Sequence, residues 1–383
     1  MHPLKSSVMK AHSFFLILTT GMTLLTSACQ KTASDDLCTP SLNLEVFDSQ
    51  LRSNLQTGLK GYTYLIMRDG QVKFTHSEGH ARSPQDGLQP WDEFQTMHVA
   101  SISKTISTVA ALRLLKMKGL EPTEPIYKWL PPDWEIGNNV KNITFSDLMS
   151  HRTGFQMVLK KDSTLSTTYL GLKKLIAEGA NTMKTRKYSN VHHALLRIIL
   201  PLVADYPDIS RYVGNENLYA QRYEQLVNQL VFQPLGITAS LKDDDPNGGV
   251  LAYSSASDPS GEFETFNYQQ TAGGYGWVLS ARDLAKFWAY LWHSEVLLDE
   301  SQRDYMKWKE LGLYNSGDFS HGRYYCKLGG WFRKPEGDLE HWLRSAAIEF
   351  SDGTAVILFV NSPSSKGLRE TILDAYEKSF GCF

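Results

Sequence analysis

The strand-forming residues of this chain stand in two groups near its opposite ends, and that separation restricts the fold more than any other feature. Tyr62 to Arg68 and Val72 to His76 are rich in β-branched and aromatic residues, and Asp69-Gly70 between them favours a two-residue hairpin turn. Far downstream, Lys327 to Arg333, His341 to Phe350 and Thr354 to Asn361 read as further strands, the last two joined by Ser351-Asp352-Gly353. The stretch between is dominated by apolar residues at helical spacing, notably in Leu172 to Glu178, Val191 to Leu200 and Tyr219 to Leu230. A sheet drawn from both ends must close around that helical stretch. The expected architecture is therefore α/β of the α+β kind: an antiparallel sheet of five or more strands flanked by helices, with a helical subdomain inserted over about residues 143 to 270.

Flanking helices are predicted over Leu42 to Leu59, Ala281 to Leu298 and Leu368 to Phe380, and another from Ser101 to Leu120, with Gly119 as its stop. Residues 42 to 380 are expected to form the folded domain. With 383 residues, 42% of them hydrophobic, the chain can bury a large core. Its formal charge is -2, and -4 without the first 28 residues, which carry Lys5 and Lys10 and no acid. A mildly acidic chain with no basic stripe argues against nucleic acid as a partner.

Lys5 and Lys10, the apolar run from Phe14 to Leu25 and the small residues before Cys29 read as an export signal over residues 1 to 28. Leu25-Thr26-Ser27-Ala28-Cys29 is similar to a bacterial lipobox, which would make Cys29 a lipidation site; the alternative is an ordinary cleaved signal. Either predicts a periplasmic or cell-envelope protein, and any membrane attachment would be by lipid. No later apolar run is long enough to cross a bilayer. In an oxidising compartment Cys38 and Cys382 would tie the two ends together as a disulfide, leaving Cys326 as a buried thiol.

Chemistry concentrates at Ser101-Ile102-Ser103-Lys104. Three residues of helix return a side chain to nearly the same face, so Ser101 and Lys104 become neighbours. A serine hydroxyl needs a proton acceptor, and a lysine whose pKa is lowered by burial can be one. A second element, Tyr188-Ser189-Asn190, opens another apolar helix. Its phenol can shuttle protons and its amide can hold both a lysine and a substrate carbonyl.

With these two motifs the chain resembles the β-lactamase-like serine hydrolases, which include penicillin-recognising carboxypeptidases, serine β-lactamases, esterases and D-amino-acid peptidases. Further stretches match in order: Ile143 to Phe155 with its Ser150-His151-Arg152-Thr153-Gly154, Ala272-Gly273-Gly274 followed by Ser280 to Phe287, and Leu328-Gly329-Gly330-Trp331 as a Gly-x-Gly-Trp strand. The resemblance implies a β-lactamase/transpeptidase-like fold. It also implies acylation of Ser101, activation by Lys104, proton relay by Tyr188 and positioning by Asn190. The Ser101 N–H would form half of an oxyanion hole.

A third family motif, Lys or His, then a small residue, then Gly, is expected on an edge strand. The resemblance points to His341-Trp342-Leu343-Arg344, which lacks the glycine, with His321-Gly322-Arg323 as a rival. Three readings follow: a narrowed site, a site in which Arg344 holds a substrate carboxylate, or a non-catalytic envelope lipoprotein that binds cell-wall fragments or a protein. The substrate would be a D-Ala-D-Ala-type peptide, a β-lactam or an ester, with a peptidase or esterase role ranked above β-lactam hydrolysis. No metal or organic cofactor is called for, and the protein is expected to be a monomer.

Overall fold

Asp69 and Gly70 make the turn expected of them: φ is 52° and 74°, the left-handed values that a two-residue hairpin of this type needs. The turn joins β1 (Gly61–Arg68) to β2 (Gln71–Arg82), which runs beyond the predicted His76. In this computed structural model the described residues are 39–56, 58–243, 249–263, 266–332 and 341–382. The N-terminal segment, including Cys29 and Cys38, lies outside them.

The remaining strands of the main sheet are β3 (Gln89–Pro90), β4 (Gly317–Phe319), β5 (Gly322–Phe332), β6 (His341–Phe350) and β7 (Thr354–Val360). All pairings are antiparallel, in the order β3-β2-β1-β7-β6-β5-β4. The first and last stretches of the chain meet at the centre, β1 beside β7. Successive side chains of a strand point to opposite faces, and β7 is buried on both. Its Ala355, Ile357 and Phe359 join one core cluster, and its Val356, Leu358 and Val360 the other. This explains the unbroken apolar run of that strand.

On one face lie α1 (Leu44–Leu55), capped by Asn43 Oδ1, and the helix Leu368–Glu377 near the chain end. On the other lies α2 (Ser103–Met117), buried on nearly every side, its polar Ser103, Lys104, Thr105, Ser107 and Thr108 included. It is preceded by a tight 3-10 turn, Ala100–Ile102, so Ser101 stands just outside the regular helix. Between α2 and the downstream strands, the longer elements are the helices Tyr169–Glu178, α3 (Asn190–Asp205) and α4 (Glu216–Val227). Then comes α5 (Ala281–His293), shorter than the predicted Leu298, with Ser280 as its N-cap. The helix Leu368–Glu377, here α6, ends before Phe380. Cys326 is a buried free thiol, and Cys382 is disulfide-bonded. Among the described residues no helix is long and apolar enough to cross a membrane.

Candidate active site

The turn that carries Ser101 is held in a left-handed conformation at Ala100, where φ is 48°. Three contacts fasten it: Ala100 N–H donates to His98 Nδ1 at 3.2 Å, Val99 N–H to the Trp277 carbonyl at 3.0 Å, and Ser345 Oγ to the Val99 carbonyl at 3.0 Å. The His98 bond requires an unprotonated Nδ1, and burial pushes that imidazole down to about 3.

Ser101 Oγ sits between two proton carriers. Lys104 Nζ lies 3.0 Å away and the Tyr188 hydroxyl 2.6 Å away. Lys104 is fully buried and also donates to Asn190 Oδ1 at 2.7 Å and to the Gly274 carbonyl at 2.6 Å. Burial first, and the neighbouring Lys327 second, hold its amine well below the ordinary lysine range. Burial pushes the Tyr188 phenol up to about 12, which keeps it neutral at rest. The predicted Ser101, Lys104, Tyr188 and Asn190 thus converge at hydrogen-bonding distance. The Gly-Gly loop completes the cage: a Cβ at Gly273 would lie 2.3 Å from the His193 carbonyl, and one at Gly274 would lie 2.8 Å from the Asn190 carbonyl. Only glycine lets this loop approach α3 closely enough to offer its carbonyl to Lys104.

The third motif is not where it was expected. His341 opens β6, and β5 intervenes between β6 and the open edge of the sheet; the His341 side chain lies outside the described residues. His321 stacks on Phe380 beside Glu377, at the end of β5 away from Gly329. The Lys-x-Gly sequence that meets the site is Lys327-Leu328-Gly329, on β5. Lys327 is buried, its Nζ is 4.9 Å from the centre of the Tyr188 ring, and burial lowers its pKa to about 7. A Cβ at Gly329 would come within 2.4 Å of the Val99 carbonyl, so the strand can lie against the Ser101 turn only with glycine there. The reading of Leu328-Gly329-Gly330-Trp331 as a strand preceding the motif is corrected: its glycines belong to the motif itself.

Gly330 has a further part. Cys326 turns its N–H to Ser316 Oγ, 3.1 Å, and its carbonyl to the Tyr314 N–H, 3.0 Å, on the outer side of β5. Both backbone groups of an antiparallel residue point the same way, and the direction alternates along the strand. The register is unbroken from Cys326 to Gly330, so Gly330 also turns its N–H outward. Among the described residues no strand pairs with that edge beyond Tyr324.

Ser101, Tyr188, Asn190, Gly329 and Gly330 line a cleft of about 610 Å³ that also includes Tyr275, Trp331, Arg344, Gly367 and Leu368. Arg344, predicted to bind substrate, thus stands in the wall. It donates to Ser364 Oγ, and its Nε is buried without a partner among the described residues. Behind Tyr188 lies a group of buried histidines given no role in the sequence reading. His151 packs its ring 4.7 Å from that of Tyr188 and joins Nδ1 to Nδ1 of His192 at 2.8 Å, while His193 contacts Thr108 Oγ1 at 3.2 Å. Burial holds all three below the ordinary histidine range, so they add no charge beside Lys104.

The model of the Beta-lactamase family matches residues 47–375. No curated protein matches the chain. Solved structures with the same fold include a D-stereospecific amidohydrolase from Streptomyces sp., 19% identical with a TM-score of 0.61, covering 87% of this chain and 98% of that one. EstCE1, a hydrolase with promiscuous acyltransferase activity, is 17% identical with a TM-score of 0.63 over 87% of this chain and 98% of its own. The D-amino acid amidase from Ochrobactrum anthropi SV3, complexed with L-phenylalanine, is 16% identical with a TM-score of 0.63 over 88% and 98%. At these identities the structures speak for the fold, and the family match across most of the chain for the kinship. The chain belongs to the β-lactamase family of serine hydrolases.

Proposed function

We propose that this protein is an exported, lipid-anchored hydrolase that cleaves an amide or ester through a covalent acyl-enzyme on Ser101. The carrying observation is the Ser101 hydroxyl held between a buried Lys104 amine at 3.0 Å and the Tyr188 phenol at 2.6 Å. With its pKa lowered, Lys104 takes the Ser101 proton as Oγ attacks the substrate carbonyl carbon. The N–H groups of Ser101 and Gly330 receive the oxyanion, and loss of one such donor costs about a hundredfold or more in rate. As the tetrahedral intermediate collapses, the Tyr188 hydroxyl protonates the leaving group and is reprotonated from Lys104. Water then enters from the same side and attacks the acyl carbon, losing its proton to Tyr188 or Lys104; that proton passes to Ser101 Oγ as the ester bond breaks, releasing the acid and the free serine.

Arg344 in the cleft wall supports a substrate that carries a carboxylate, as a D-Ala-D-Ala-type peptide or a β-lactam does. The Lys327-Leu328-Gly329 motif removes the reason for ranking β-lactams below peptides and esters. Export and Cys29 lipidation rest on residues 1 to 29 and place the reaction in the periplasm or cell envelope, with the protein as a monomer.

The test is intact-protein mass after incubation with a fluorophosphonate and, separately, with a penicillin, on wild type and Ser101→Ala. An adduct on wild type alone supports the acyl-enzyme, and penicillin labelling directs the search to cell-wall substrates. No adduct from either reagent sinks the enzyme reading in favour of a binding lipoprotein.

A further inference from the structure

A tetrahedral carbon bonded to Ser101 Oγ carries three other substituents, and the cleft assigns a direction to each. The oxygen points to the N–H groups of Ser101 and Gly330. The leaving group points to Tyr188, whose hydroxyl and flanking lysines hold the protons. The acyl side chain takes what remains.

Side chains at alternate residues of a strand share a face, so Lys327, Gly329 and Trp331 mark three stations along β5. Lys327 stands at Tyr188, Gly329 against Val99 and Ala100, and Trp331 on the far side of Ser101 from Lys327. The Trp331 ring packs 4.7 Å from His98, 5.4 Å from Tyr268 and 6.2 Å from Tyr275, and Tyr268 meets Tyr275 edge to face at 5.3 Å. Of these four, Trp331 and Tyr275 are partly exposed and line the same cleft as Ser101, while His98 is buried. The Tyr275 hydroxyl is held by Thr167 Oγ1 at 2.9 Å, which fixes its ring. The fold thus keeps two aromatic faces locked beside the nucleophile and, among the described residues, partly exposed in its cleft. Such surfaces favour a flat apolar partner.

We propose that Trp331 and Tyr275 form the acyl-side wall and select substrates whose acyl group bears an aromatic or similarly flat apolar side chain. This rests on acyl transfer at Ser101.

The experiment compares kcat/KM for p-nitrophenyl phenylacetate and p-nitrophenyl acetate, each normalised to its hydroxide-catalysed rate. The leaving group is shared, so the ratio reads the acyl side alone. Wild type is expected to favour the phenylacetyl ester at least tenfold. Trp331→Ala should cut that ratio at least tenfold and Trp331→Phe should restore most of it, with Tyr275→Ala serving if Trp331→Ala does not fold. Equal use of the two esters by wild type, or a ratio unmoved in the variants, overturns the wall. If Ser101 takes no fluorophosphonate and neither ester turns over, the acyl-transfer reading has failed. Calorimetric binding of phenylacetate and acetate then decides the wall: selective phenylacetate binding lost in Trp331→Ala upholds it, and no selectivity overturns it.

Discussion

Lys327 Nζ lies 4.9 Å from the centre of the Tyr188 ring, and the hydroxyl of that ring touches Ser101 Oγ at 2.6 Å. A second lysine at this distance gives the site a further proton carrier and places Lys327 where the first residue of a Lys-x-Gly motif is needed. It is also a liability for the fold. Its pKa falls from 10.5 to about 7 on burial, so between those values the unfolded chain binds the extra proton and stability rises with pH. Below about 7 both states are charged and the folded state bears the full cost. Lys327→Met is therefore expected to be roughly 1–3 kcal/mol more stable than wild type at pH 6. That gain should shrink toward pH 10.5, and kcat/KM should fall at least about a hundredfold. Chemical denaturation at the two pH values, with a rate assay, checks both halves; an active or destabilised variant contradicts the assignment.

In the proposed mechanism the base is Lys104, held well below the ordinary lysine range by burial and by Lys327. Its neutral form does the work, so kcat/KM should decline as pH falls through that lowered pKa. Lys104→Arg should not rescue activity, because a guanidinium stays protonated at these pH values. A pH profile from about 5 to 9 is the measurement, and a flat profile, or an active arginine variant, would remove Lys104 from this role.

Gly329→Ala tests the contact between β5 and the nucleophile turn. The new Cβ would meet Ser345 Oγ at 2.3 Å and the Val99 carbonyl at 2.4 Å. The serine can rotate and the backbone carbonyl cannot. The expected cost is roughly 1–3 kcal/mol, together with at least a tenfold loss of acylation rate as Ser101 is displaced. Adding Ser345→Gly should recover only part of either. Thermal unfolding and stopped-flow labelling report the two effects, and full recovery in the double variant would show that Val99 is not the limiting contact.

Away from the cleft, Glu349 is buried on β6 with Oε1 at 2.8 Å from His293 Nε2 and, among the described residues, no partner for Oε2. His293→Ala leaves that carboxyl buried and unpaired, a loss of roughly 3 kcal/mol. Pairing the change with Glu349→Leu should return most of it, with Ser101 labelling intact throughout. Denaturant midpoints of the four proteins of this cycle decide, and additive losses would rule the pair out.

Much of this protein was written in local sequence. Asp69-Gly70, the β-branched and aromatic run of β1 and the unbroken apolar run of β7 specify strands and their turn without reference to anything distant. Likewise Ser101 and Lys104 lie three residues apart on one turn of backbone, so their meeting follows from helical geometry alone. Tyr188 and Asn190 were legible by their own motif, although nothing local brings them to Ser101.

What the local signals could not supply is the lateral order of the strands. Lys327-Leu328-Gly329 and His341-Trp342-Leu343 both sit on strands late in the chain, and both begin with a residue suited to the third motif. Strand order makes β5 the one that presents its backbone to Ser101 and tucks β6 between β5 and β7. That order arises from burying both faces of the sheet at once, between α1 and α6 on one side and α2 on the other, an energy shared among residues hundreds of positions apart. The same long-range packing buries Lys104, Lys327 and the three histidines. Their residue types are fixed by the chain, but their protonation states depend on desolvation, which exists only once the fold has closed around them.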